Sequence, residues 1–364
     1  MSTKQIGTLC SRKQHFIQFL NRVKLGNNYA LKGFTLTTRN VIMACYTAYL
    51  GTGETLLCKS IKADTIVRYL NAAVEFSTSA QLMNPCLDIM GNQSTYIKDI
   101  LREIRRWESV PNRKEPLTKK MVKYIINKGK TMNRVNHNNI YTVLGDWLVV
   151  GLQAGFRRKE WAQDRTYVRK HKDIERNIDK SSSAFILEDF EFRGKGNKRI
   201  NNSSTNEIKK AYTVNIKWRF QKNNNNGQVI SYVKDNINKT YCVVEACQRL
   251  RNRAINLKIA KDKPIAVFTE IINGKSITRL VDDIHIKRLL QEAASKEYNI
   301  KCKKELSAFT SHSVRVGACV LLHSQNISPE DIKFRLRWRS DTFRMYLRNI
   351  VELAERHRDA IANA

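Results

Sequence analysis

Near the end of the chain, four side chains of the kind that handle phosphate esters follow one another: His312, Arg315, Trp338 and Tyr346. An imidazole, a guanidinium and an indole N–H donate hydrogen bonds to phosphate oxygens, and a phenol can attack phosphorus. His312 and Arg315 stand three apart in His312-Ser313-Val314-Arg315, so on a helix they share one face and can hold one phosphate together. Breaking a phosphodiester takes an in-line nucleophile, neutralised charge on the non-bridging oxygens and a proton for the departing oxygen. Tyr346 is the candidate nucleophile, and a phosphotyrosine ester would store the bond energy so that a strand is rejoined without a nucleotide cofactor. His312 would help manage the phenol proton, since a free Tyr has a pKa of about 10. The sequence holds no acidic cluster suited to Mg²⁺, so the expected chemistry uses neither metal nor cofactor. Each residue alone has a duller explanation, a structural His, a core Trp or a packed Tyr; their joint order carries the inference.

Such residues need elements to aim them. Ser328-Pro329-Glu330-Asp331 has the form of a helix start, with Ser at the cap, Pro in the first turn and acids against the dipole. Ser340-Asp341 has the form of a second start, predicting a helix with Phe343, Leu347 and Ile350 on an apolar stripe and Tyr346 near its edge.

Upstream, apolar residues at helical spacing predict a bundle from Arg12 to about Val110: one helix opened by His15–Leu20, one over Val41–Leu50 stopped by Gly51 and Gly53, then Ile61–Phe76 and Tyr96–Trp107. Arg102, Arg105, Arg106 and Arg113 crowd the far side and exit of the last, a set suited to following a phosphate backbone. Pro111-Asn112-Arg113-Lys114-Glu115-Pro116 cannot continue a helix, so the expected domains are 1–112 and 113–364. The second opens at Lys119 and Lys120, which join the basic candidates for DNA contact, with helices over Lys119–Lys128 and Tyr141–Gly155, the latter apolar enough to be a central core helix.

From Ala184 the period drops to that of strands: Phe185–Phe192, then Tyr212–Phe220 and Gln228–Val233 as a hairpin around the polar turn Gln221–Gly227. Beyond it lie a helix over Val243–Leu257, a short extended segment over Pro264–Glu270 and a helix over Asp282–Tyr298. The predicted class is mainly α with a small antiparallel sheet: a helical N-terminal domain and an α+β second domain.

Composition agrees with a nucleic-acid partner. The 364 residues are long enough for two cores, and 42% hydrophobic content excludes disorder. Lys and Arg total 65 against 33 Asp and Glu, a net charge of +32 spread along the chain, which argues for a polyanion over a membrane surface. No signal peptide and no run of about 18 apolar residues is present, and the eight Cys lack a Cys-x-x-Cys pair. They read as buried reduced thiols of an intracellular protein without a metal site.

His-x-x-Arg, then a His or Trp, then a Tyr is the C-terminal signature of the tyrosine recombinases, the phage-integrase family, which this sequence resembles. Arg337-Trp338-Arg339-Ser340-Asp341-x-Phe343-x-x-Tyr346-Leu347-Arg348 is most similar to the eukaryotic Crypton-type branch of mobile elements, with the Trp-to-Tyr gap one residue shorter than in the best-known bacterial and phage members. Gly155-Phe156-Arg157-Arg158-Lys159-Glu160 is similar to the family's first motif, Gly-Leu-Arg-x-x-Glu, and maps Arg157 onto its catalytic arginine and Glu160 onto its structural glutamate. An Arg at the end of a buried helix can also simply cap carbonyls.

The resemblance implies a lysine on the following hairpin as general acid. Lys222 holds that place, with Lys195 in Gly194-Lys195-Gly196-Asn197-Lys198 as its rival. It also implies a core-binding N-terminal domain, double-stranded DNA as partner, a homo-tetramer on paired sites that can exchange the segment Leu347–Ala364, and, in a eukaryotic host, a nuclear location. The expected function is a site-specific recombinase or integrase acting through a 3′-phosphotyrosine. A type IB topoisomerase and a recombinase-derived DNA-binding protein without activity are the alternatives.

Overall fold

Where apolar residues recur three and four apart the chain is helical, and where the period drops to two it pairs into small antiparallel sheets. The computed structural model describes residues 3–53, 60–109, 113–163, 184–200, 205–221 and 226–347, with single positions at 355, 358, 361 and 362. The chain divides into two compact units, Met1–Pro111 and Asn112–Ala364.

The first unit is a bundle of α1 (Thr3–Arg22), α2 (Leu36–Thr52), α3 (Ala63–Ser79) and α4 (Thr95–Trp107). α2 begins where the Thr35 hydroxyl accepts the Thr38 amide and stops at Gly53, whose φ of 82° is the left-handed conformation that glycine adopts freely. Phe16, Phe19, Tyr46, Leu50, Ile66, Ile97 and Leu101 make its core. On the outer face of α4, Arg102, Arg105 and Arg106 each pair with an acid, at 3.1 Å to Asp99, 3.5 Å to Asp64 and 2.7 Å to Glu103.

The second unit is built around α6 (Ile140–Ala154), of which almost every residue is buried. α5 (Lys119–Met132) lies along it, and a three-stranded antiparallel sheet is formed by β1 (Phe190–Arg193), β2 (Thr213–Trp218) and β3 (Gln228–Val233) in that order. α7 (Arg158–Trp161) and α8 (Thr205–Lys209) are short; α9 (Val243–Asn256) and α10 (Asp283–Tyr298) follow the sheet. α11 (Lys303–Leu306), α12 (Ser313–Ser324) and α13 (Pro329–Leu336) then lead to a 3₁₀ turn over Asp341–Tyr346. α13 starts as its sequence requires: the Ser328 hydroxyl accepts the Asp331 amide at 3.0 Å and Pro329 occupies the first turn.

Four expectations need correction. The strand expected over Phe185–Phe192 shrinks to β1, because the Asp189 carboxylate accepts the Ile186 amide at 2.8 Å and closes a 3₁₀ turn, Leu187–Asp189, ahead of it. The extended segment before Glu270 is half of a second hairpin, β4 (Val267–Ile272) with β5 (Lys275–Leu280), reversed through Asn273 and Gly274, both at positive φ. The helix expected from Ser340 is the 3₁₀ turn instead, and Ile350 lies outside the described residues. Residues three apart eclipse in a 3₁₀ turn, so Phe343, buried against Leu336 and Ile332, carries Tyr346 beside it at the edge of the same cluster. Among the cysteines, Cys86, Cys242, Cys247 and Cys319 are buried but Cys10, Cys45 and Cys302 are exposed, and Cys58 lies outside the described residues. No described helix is long and apolar enough to cross a membrane.

Candidate active site

The site begins where α6 ends. Gly155 closes that helix at φ 52°, a left-handed turn that favours glycine, and a Cβ there would press within 2.6 Å of a Leu336 methyl. Two residues later Arg157 starts α7, with its amide 2.8 Å and its Nη1 3.1 Å from the Glu160 carboxylate. Glu160 is buried and also accepts from Arg337 Nη2 at 3.0 Å and from the Trp218 indole at 3.3 Å. Arg157 itself stays partly open, so donors not used by Glu160 remain for a ligand.

Arg315, on α12, is 2% exposed. Its Nη1 donates to the Gly155 carbonyl at 2.6 Å and its Nη2 to the Leu336 carbonyl at 2.9 Å, which fastens the ends of α6 and α13 to one guanidinium. The carbonyl capping that was the alternative role for Arg157 is thus done by Arg315, and by Arg337 at the Ala154 carbonyl, 2.9 Å away. Burial first, then the charges of Arg157 and Arg337, push the Arg315 pKa down. A guanidinium keeps its proton regardless, so the pocket is strongly disposed towards an anion.

Trp338 lies under Arg315, with the guanidinium carbon 4.3 Å from the ring centroid, and meets Tyr346 edge-on at 5.4 Å. Its indole N–H is buried and has no partner among the described residues, an unspent donor at the site. His312 caps α12 from the preceding turn, and its Nε2 is 2.9 Å from the Tyr346 Oη. Burial, then Arg315, Lys114 and Arg157, lower the His312 pKa below its ordinary 6.5, which leaves a neutral imidazole able to accept the phenol proton. Burial raises the Tyr346 pKa, against the opposing pull of Arg315 and Arg157, so the resting phenol is protonated and needs such a base.

Arg157, His312, Arg315, Trp338 and Tyr346 therefore share one cleft of about 910 Å³. Arg158, Lys159 and Arg339 also line it, and Glu160 is the only acid among the described residues that line it. Lys222 lies outside the described residues, although Phe220 and Gln221, immediately before it, line the cleft wall. Lys195 sits exposed in the turn after β1 and is not among the lining residues. Arg102, Arg105 and Arg106 belong to α4 of the first unit, Arg113 is exposed at the start of the second, and Lys119 and Lys120 are exposed in the first turn of α5. Sequence reasoning missed Arg337, Lys159 and Arg339 as neighbours of the site. For Arg337 the available signal was its place directly before Trp338.

No family model matches the sequence, and no curated protein matches it. Among solved structures, the chain is similar to the Tn1549 transposon integrase in complex with a circular intermediate DNA, at 14% identity and a TM-score of 0.41 over 88% of this chain and 85% of that one. It is similar to the same integrase in complex with transposon right end DNA at 12% identity and a TM-score of 0.42, over 89% and 85% of the two chains. In a further circular intermediate complex the identity is 14% and the TM-score 0.41 over 96% and 99%. Likenesses of this size assign no activity, and the functional reading rests on the residues of the cleft.

Proposed function

We propose that the chain is a DNA strand transferase of the tyrosine recombinase type, which cleaves and rejoins DNA through a 3′-phosphotyrosine intermediate. The observation that carries this reading is the 2.9 Å contact between His312 Nε2 and Tyr346 Oη in a cleft that Arg157 and Arg315 also line. A phosphate seated between the two guanidiniums would have its non-bridging oxygens neutralised by forked donors, a geometry lysine does not supply. The buried indole N–H of Trp338 would find its missing partner there.

Tyr346 Oη attacks phosphorus and forms the phosphotyrosine bond as the bond to the 5′-oxygen breaks. The phenol proton passes to His312 Nε2, and the departing 5′-oxygen takes a proton from the hairpin lysine, for which Lys222 is the candidate. The reverse sequence rejoins the strand. Double-stranded DNA is the partner, met by Arg102, Arg105 and Arg106 of the first unit and by Arg113, Lys119 and Lys120 of the second. The resemblance to Crypton-type recombinases extends the reading to a tetramer on paired sites within a mobile element.

The test is covalent capture. The full chain is incubated with a pool of nicked duplexes of random sequence, in which the short downstream fragment diffuses away after cleavage, and protein–DNA adducts are collected under denaturing conditions. Wild type should yield adducts with DNA attached through its 3′ end, and Tyr346→Phe should yield none. An adduct that persists in Tyr346→Phe would move the nucleophile elsewhere.

A further inference from the structure

Arg337 takes no part in the chemistry just described and does not line the cleft, yet its guanidinium is fully buried. We propose that Arg337 is a positioning residue for strand cleavage: it clamps the turn that carries Trp338 to the turn that carries Arg157. The inference rests on the phosphotyrosine reading above.

Three contacts define the clamp. Nη1 donates to the carbonyl of Ala154, the last residue of α6, at 2.9 Å; Nη2 donates to Glu160 of α7 at 3.0 Å; and the guanidinium carbon lies 3.9 Å from the ring centroid of Trp218 in β2. The Trp218 indole and both the amide and Nη1 of Arg157 converge on the same Glu160 carboxylate. One side chain thus joins the backbone of the Trp338 turn to the acid that orients Arg157.

The backbone at Arg337 sharpens the point. It ends α13 at φ 59° and ψ 49°, the left-handed conformation that glycine adopts freely and other L-residues disfavour. An arginine held there against local preference is explained by what its side chain does. Charge gives a second reason. Glu160 is shared by two guanidiniums, so Arg157 is only partly neutralised and keeps its pull on a phosphate. Without Arg337 the carboxylate would form an ion pair with Arg157 alone and hold it less firmly in place, while the residue before Trp338 would lose its anchor.

The test compares wild type, Arg337→Lys and Arg337→Gly in the full chain, using the nicked duplexes that wild type captures. Adduct formation is timed in single turnover at saturating DNA, with DNA affinity and thermal unfolding measured alongside. Capping alone predicts that Arg337→Gly, with the residue a left-handed helix end favours, is as stable and as fast as wild type. The clamp predicts that both variants form adduct on the order of 100-fold more slowly, as expected when reacting groups are misplaced by about 1 Å, with DNA affinity unchanged. Arg337→Lys keeps the buried charge opposite Glu160, so it reports on the clamp even where Arg337→Gly folds poorly. A wild-type rate in either folded variant overturns the inference and leaves the phosphotyrosine reading standing. Equal losses of rate and affinity overturn it too, because Arg337 would then serve binding. No adduct with wild type overturns both.

Discussion

The surroundings of the His312–Tyr346 contact fix where the proton rests, on the phenol and not on the imidazole. Burial and three nearby cations hold the imidazole below its ordinary 6.5, while burial holds the phenol above its ordinary 10.0. His312 is therefore more fully neutral at neutral pH than a free imidazole, and available there as a proton acceptor. The cleavage rate should rise with pH through a limb below 6.5 and then level off, and His312→Asn should be slow and lack that limb. A limb that survives in His312→Asn would assign it to another group. Trp338→Phe keeps a ring beneath Arg315 but removes the unpartnered N–H. By analogy with loss of one donor to a developing oxyanion, single-turnover cleavage should fall on the order of 10²-fold with DNA binding retained; an unchanged rate would leave the indole a packing residue only. At this scale the cluster from His312 to Tyr346 was legible because each residue type has a distinct job and the order is short. The Glu160–Arg337 pair was not, since its partners stand 177 residues apart and only folding reveals that Arg157 and Arg337 share one carboxylate.

Among the elements, α12 carries Arg315, begins at His312 and depends on close approach to the segment that enters α5. A Cβ on Gly317 would come within 2.2 Å of the Leu117 carbonyl, which is backbone and cannot yield as a flexible side chain would. Gly317→Ala should cost about 3 kcal/mol in urea unfolding, and the folded fraction should cleave more slowly because His312 and Arg315 move with the helix. Unchanged stability would mean that the two backbones separate freely. α13 was readable at its start, where Ser328, Pro329 and the acids give a capping pattern that needs no tertiary context. The 3₁₀ turn over Asp341–Tyr346 was harder. Asp341 pairs with Lys333 of α13 at 3.0 Å, an ion pair across elements that no periodicity foretells. The β4–β5 hairpin was missed although Asn273-Gly274 is a strong reversal signal, because the strands that flank it lack strict alternation.

For the whole molecule the governing fact is a net charge of +32. A protein that meets roughly 6–10 phosphates loses on the order of 10³–10⁵ in affinity between about 50 and 200 mM salt, and DNA binding by this chain should fall as steeply. Replacing Arg102, Arg105 and Arg106 together with alanine should flatten the salt slope by about one unit for each phosphate that is no longer neutralised. Each of these residues already has a surface acid for a partner, and such pairs contribute at most about 1 kcal/mol, so a backbone phosphate can displace them. An unchanged slope would reduce the row to ordinary surface pairs. The mainly α character with small antiparallel sheets was legible from periodicity alone, whereas the depth of the cleft depends on where α6, α12 and α13 end against one another.

The most direct test is chemical identification of the nucleophile. Trypsin should release the attacked residue in the short peptide Met345-Tyr346-Leu347-Arg348. Mass spectrometry of nuclease-trimmed, trypsin-digested adduct should find a nucleotide 3′-phosphate on that peptide, at the tyrosine oxygen. A nucleotide on any other peptide, or none on this one when adduct is present, would contradict the account.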